Sequence, residues 1–237
     1  MDLLTKAKIA AGRIVPRKKV LSKDRARCRQ KFLLFFSKGF ADPKYLDWER
    51  DYKWNAHLAW ERDLNKAEYE RLLAAHKYSE IAKKAVNIET KTNLLFSFEK
   101  MALRDAVKSP AGAKAFALGL YDYVYGKESL KERFENFTEV LAGLPRKQTR
   151  VLTWPLHTVF GFIANPKEHI FLKPRVTQAA AEVCAFPFNY ESRPNWETYK
   201  STLDFAKQVR DDVADLKPRD MIDIQSFIWV QGSEEYA

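Results

Sequence analysis

The stretches TKTNLLFSFEKMALRDAV (residues 90–107) and AGAKAFALGLYDYVY (residues 111–125) decide the fold class. In both, apolar side chains return every three or four residues, the repeat that places them on one face of a helix. Ser109-Pro110 breaks the first stretch from the second. Gly126 ends the second stretch, and Gly143 ends a further helical pattern over 128–142.

The same period continues outward in both directions. Upstream, Ser22 is an N-cap for a helix ending near Gly39, whose first half is basic (KDRARCRQK) and whose second half is apolar (FLLFFS). Such a helix is expected to bury its second half and leave its first half in water or against phosphate. Asp42-Pro43 opens a helix to about Asp63, with Tyr45, Trp48, Tyr52, Ala56 and Ala59 as its apolar stripe. Asn65 caps KAEYERLLAAH, and YSEIAKKAV follows.

Downstream, Leu144-Pro145 starts a helix with a kink at Trp154-Pro155 and an end at Asn165-Pro166. HIFLK (169–173) reads as a short extended piece, and Pro174 fits the first position of a helix to about Ala185. Asn195 caps a long helix, and Lys217-Pro218 starts a last one that stops at Gly232. The expectation is an all-α, compact multi-helix domain with short extended pieces only. Its parts are an arm at 1–21, a helical subdomain at 22–142 and a second at 143–237, with a cleft between the two.

Bulk composition agrees. Sixteen Phe, ten Tyr and six Trp supply a large core, and eight glycines are few for a turn-rich β fold. No apolar run approaches the roughly 20 residues of a membrane span. Cys28 and Cys184 form no metal or disulfide spacing, so a reducing, cytoplasmic setting is expected.

Charge is distributed unevenly. The whole net charge of +10 lies in residues 1–40, while 41–237 balances. Residues 143–178 form a second basic zone, with six cations against Glu168. A neutral body with two cationic zones suits a polyanion, and a nucleic acid, DNA in the first instance, is the expected partner. The residues expected to meet it are Arg17, Lys18, Lys19, Arg25, Arg29, Arg146, Arg150 and Arg175.

Chemistry-bearing residues are few. Asp223 is a carboxylate in the otherwise apolar MIDIQSFIWV. It reads either as a general acid or base with a shifted pKa, or as half of a structural pair with an arginine. Glu99 in LLFSFEKMAL carries the same functional reading, against that of a half-exposed helix position. Trp154, Tyr190 and Trp196 read as walls for an extruded base, or as plugs of the helical core. The four histidines have no metal spacing, and no phosphate-loop, dinucleotide or nucleophile-elbow motif is present. Neither metal nor organic cofactor is expected.

The order GLPRKQTRVL, apolar helix, HIFLKPRV, TQAAAEVCAF, long helix and RDMIDIQSFIWVQG resembles the helix-hairpin-helix DNA glycosylase superfamily over residues 143–232. On that resemblance Lys147 stands where some members place a nucleophilic lysine, and Lys173 where the family places its catalytic aspartate. Arg146 and Gln148 stand where the hairpin glycines would be. The resemblance implies a monomeric base-excision enzyme, acting on a modified or damaged base such as one carried by phage DNA. Asp223, Lys173, Lys147 and Glu99 are its candidate catalytic residues. A non-enzymatic nucleic-acid-binding protein and a helical protein-interaction module with a basic tail are the alternatives.

Overall fold

A computed structural model describes residues 22–147 and 150–237. The arm with Arg17, Lys18 and Lys19, and the pair Gln148-Thr149, lie outside the described residues. Eleven helices and no strand are found among the described residues, so the fold is all-α as expected. They are α1 (Lys23–Phe35), α2 (Asp51–Asp63), α3 (Lys66–Ala74), α4 (Tyr78–Glu89), α5 (Ser97–Ala106) and α6 (Pro110–Tyr125). After these come α7 (Leu130–Gly143), α8 (Trp154–Ala164), α9 (Pro174–Val183), α10 (Trp196–Asp212) and α11 (Met221–Gly232).

Local capping chemistry fixes most boundaries. The side chains of Ser22, Asn65, Ser109, Ser129 and Asn195 each accept a backbone N–H in the first turn of the helix they precede. Three helix starts differ from expectation, and the helix expected to end near Gly39 ends at Phe35. The helix placed from Leu144 starts instead at Trp154, because Thr153 caps it and Pro155 occupies the first turn, where a missing N–H costs nothing. The helix placed from residue 90 starts at Ser97. Thr92 and Glu99 take up local backbone groups there, Thr92 bonding to Glu89 and Leu94, and Glu99 accepting from the Phe96 N–H. The last helix starts at Met221, capped by Asp220, which accepts from the N–H groups of Ile222 and Asp223.

The segment 43–63 is continuous, but Leu46–Arg50 within it is a π-helical stretch. The wider turn inserts a residue and rotates the register. The expected stripe is therefore broken at Trp48, which is 53% exposed with the Lys44 ammonium 4.2 Å from its ring centroid. Glu49, Arg50 and Lys53 are turned inward in its place, each buried.

Helix α8 is the hub: every residue from Trp154 to Ala164 is buried. It packs on α2, α4, α6 and α7, while α11 packs on α9, α10 and α1. Close approach needs glycine at two places. A Cβ on Gly161 would lie 2.7 Å from His169 Nδ1, and one on Gly232 would strike the Val176 carbonyl of α9. One contiguous apolar cluster runs from Cys28 to Tyr236.

Cys28 on α1 and Cys184 after α9 are joined in a disulfide, with Cα atoms 6.0 Å apart. This corrects the expectation that the cysteines do not pair. Spacing carries no signal for a bridge across 156 residues; packing of α1 on α9 and α11 creates it. No helix among the described residues is long and apolar enough to cross a membrane. Thiol titration of the protein unfolded without reductant is expected to find no free thiol, and two per chain after reduction. Two thiols in the unreduced sample would remove the bridge.

Candidate functional site

Four residues carried the catalytic expectation, and they part into three places. Asp223 is fully buried at the start of α11. Its Oδ1 accepts from Tyr45 Oη at 2.7 Å, Arg50 Nη1 at 2.9 Å and Arg219 Nη2 at 2.9 Å. Its Oδ2 accepts from the backbone N–H and the Nε of Arg219, both at 2.8 Å. Burial alone would raise its pKa; the Arg219 bonds, Tyr45 and the Arg50 charge more than reverse this and hold it below the ordinary 3.8. Every lone pair is engaged, so Asp223 has the arginine pairing given above as its structural alternative.

The pairing extends well beyond Asp223. Arg50 also grips Asp220 in a bidentate fork, Nη1 to Oδ1 at 2.9 Å and Nη2 to Oδ2 at 2.7 Å. One turn along α11, Ser226 accepts from Lys53 Nζ at 2.8 Å, and Lys53 also bonds Glu49 at 3.0 Å. Tyr236 Oη donates to the other Glu49 oxygen at 2.7 Å. The cations Arg50, Lys53 and Arg219 thus match the anions Glu49, Asp220 and Asp223.

Glu99 and Lys173 do come together. Lys173 Nζ lies 3.9 Å from Glu99 Oε2, donates to the Leu94 carbonyl at 3.1 Å and sits 3.5 Å from the centroid of the Phe96 ring. Glu99 is buried, not half-exposed, because it turns back onto the Phe96 N–H at 2.9 Å and takes a bond from Thr153 Oγ1 at 3.4 Å. Burial pulls the Lys173 ammonium below its ordinary pKa, and the charge of Glu99 only partly restores it. With one hydrogen bond for three donors, this lysine is far less satisfied than Asp223. Lys147 stands apart on the exposed segment between α7 and α8.

The aromatic candidates are held by the core. Trp154 is buried, with its indole N–H on the Glu191 carbonyl at 2.8 Å. Trp154 and Trp196 both pack on Phe134, and Tyr190 stacks on Phe188. The groove beside Trp196 is lined by Glu135, Glu139 and Glu191, which repel phosphate.

Two of the expected phosphate contacts are spent internally. Arg25 forks onto Asp212 and Arg29 bonds Asp215 at 2.6 Å, so the cationic half of α1 is tied to the end of α10. Arg146, Arg150 and Arg175 are exposed and have no ion pair among the described residues.

Sequence reading missed the surface that these last residues adjoin. Phe96 and Phe98 are 55% and 51% exposed and stack on one another, with centroids 5.5 Å apart and planes 23° apart. Thr153 and Lys173, both within the second basic zone, reach Glu99, whose carboxylate also takes the Phe96 N–H. Met101 and Arg104 are exposed on α5, with Asp105 as the acid beside them, and Lys108 is exposed just after its end. Arg104 and Lys108 converge with Lys83 of α4 on a groove of about 260 Å³ that has no acidic wall. The signal available in sequence was the pattern FSF opening a helix with cations at the following turns, but nothing in it says that both rings stay outside.

No family of known proteins matches this chain, and no curated protein or solved structure matches it.

Asp223→Asn is expected to destabilise the fold by about 3–5 kcal/mol at pH 7, because two buried arginines lose a shared counter-charge. The Asp223 carboxyl is depressed in the folded state, so its contribution is complete above 3.8 and fades as pH falls through the lower folded value. Urea unfolding at pH 7 and again below pH 4 should show the gap between wild type and variant closing with acid. A gap independent of pH would mean that the charge is not what Asp223 supplies.

Proposed function

We propose that this chain binds a nucleic-acid strand, with DNA as the first substrate to test, on the surface built around Phe96 and Phe98. One observation carries the reading: two aromatic rings stand exposed and stacked, with the Lys173 ammonium of the second basic zone against one of them. Unstacked bases want a flat apolar surface, and phosphates want cations that are not already neutralised. Lys173 lies against the Phe96 ring, Arg150 and Arg175 are exposed within three residues of Thr153 and Lys173, and Arg104 of α5, Lys108 just after it and Lys83 of α4 share one groove.

Fluorescence anisotropy with labelled single-stranded DNA tests this. Phe96→Ala is expected to cost about 1–3 kcal/mol of binding, the usual worth of a base-stacking ring. Replacing Lys83, Arg104 and Lys108 together by Ala should lower the slope of log K against log salt by up to about three, one for each lost phosphate contact. Binding unchanged by both sets of substitutions would sink the reading.

A second reading, base excision, rests on the Lys173–Glu99 pair. Here Lys173 with its lowered pKa attacks C1′ of a deoxyribose as a free amine. The Nζ–C1′ bond forms as the C1′–base bond breaks, the amine proton passes to Glu99, and Glu99 delivers it to the leaving base. The C1′–O4′ bond then breaks, the remaining Nζ proton passes to O4′, and an Nζ=C1′ imine is left. DNA holding a single abasic site enters at that imine directly, whichever base the protein removes. Borohydride is expected to trap it on the wild-type chain and not on Lys173→Ala. An equal yield of adduct from both proteins would leave only the binding function.

A further inference from the structure

On a different part of the surface, a cleft of about 610 Å³ opens between α2, the end of α6, the turn after α8 and the entry to α11. Its volume lies in the range of small-molecule sites. Its floor is the rigid Arg50–Asp220 fork, already neutral and committed. The walls are flat. Trp54 and His57 lie with ring centroids 4.8 Å apart, and Arg50 covers Trp54 at 4.9 Å. Tyr125 contributes its ring and not its hydroxyl, because that oxygen accepts from Trp60 at 2.9 Å and donates to the Leu64 carbonyl at 3.1 Å.

The polar groups left over at this cleft are of two kinds. His57 Nδ1 lies 2.8 Å from the Ile163 carbonyl, so Nδ1 carries the proton and Nε2 is left as an acceptor. Glu61 lines the cleft, with no cation paired to its carboxylate among the described residues. These groups ask for N–H donors on a ligand. Lys167 and Arg219 also line the cleft: Lys167 has no ion pair among the described residues, and Arg219 Nε and Nη2 hold Asp223 and Phe40 while no bond from its Nη1 is found among them. These ask for an anion.

We infer that the cleft binds a mononucleotide, its base between Trp54, His57 and Tyr125 with ring N–H groups toward Glu61, and its phosphate toward Lys167 and Arg219. A flat ring bearing donors, joined to an anion, is the chemistry that the aromatic walls, the acceptors and the cations lining this cleft request together. The inference is independent of strand binding on α5, which uses other residues.

The test is titration of AMP, GMP, CMP and UMP into the full chain, followed by calorimetry and by the indole N–H resonance of Trp54, assigned from Trp54→Phe. Adenosine and inorganic phosphate serve as the half-ligands. At least one nucleotide is expected to bind and to shift that resonance, at least tenfold more tightly than either half-ligand. Lys167→Ala and Glu61→Ala alter only exposed side chains and should each weaken it by about tenfold, the loss of one charge-assisted hydrogen bond. The Lys83, Arg104 and Lys108 substitutions should leave it unchanged. No heat and no Trp54 shift at millimolar concentration of any of the four overturns the inference. So does binding indifferent to both Lys167→Ala and Glu61→Ala.

Discussion

Arg50 buried between Asp220 and Asp223 is the constraint on which the rest of this molecule is arranged. A guanidinium and two carboxylates taken out of water each cost several kcal/mol, recovered only if geometry and hydrogen bonding are complete. Here they are complete: Arg219 closes the second face of Asp223, Tyr45 fills its remaining lone pair, and Asp220 spends its own on the first N–H groups of α11. The arrangement explains the π-helical stretch at Leu46–Arg50. A regular helix through Tyr45 and Trp48 would point Arg50 and Glu49 away from α11; the inserted residue brings both inward at the expense of Trp48, which goes to solvent. The cation sites at 50 and 53 then meet acceptors one turn apart on α11, at Asp223 and Ser226.

Lys173 and Glu99 obey the opposite rule. Their separation of 3.9 Å is a charge contact without a hydrogen bond, and the ammonium is shared among a carbonyl, a carboxylate and an aromatic face. A satisfied buried ion is inert because any new partner must displace one already well placed. A lysine that is desolvated and incompletely bonded keeps both its donors and its basicity available. The two acid–base candidates that matter most in this sequence, Asp223 and Lys173, are therefore separated by their environments and not by their residue type.

How far the sequence could be read follows the range of each interaction. Ser22, Asn65 and Asn195 announced helix starts correctly, because a cap and its N–H partner lie within three residues, and Pro174 did so because its fixed φ suits a first turn. Local competition moved the starts of α5, α8 and α11, each time toward a side chain able to cap: Glu99, Thr153 and Asp220. Long-range pairing was invisible. Arg50 finds its carboxylates 170 and 173 residues away, and Cys28 its partner 156 residues away; nothing near either position encodes the meeting. Asp223 was visible as a misfit in an apolar helix, but the misfit alone does not distinguish a catalytic carboxylate from one locked by arginines.

Net charge in a sequence is not free charge on a surface, and the two basic zones of this chain differ for that reason. The cationic half of α1 folds against the end of α10, where Asp212 and Asp215 take Arg25 and Arg29. What remains for an outside anion is set by where the fold leaves cations without acids opposite. That happens around α5, on a stretch whose own charges nearly balance in sequence: Glu99 is buried beneath Phe96, while Arg104 and Lys108 face outward beside Lys83. Glu99 and Lys100 are both taken inward, which leaves Arg104 and Lys108 in water with Asp105 as the acid beside them. Two exposed phenylalanines at its head give that surface something other than solvent to hold.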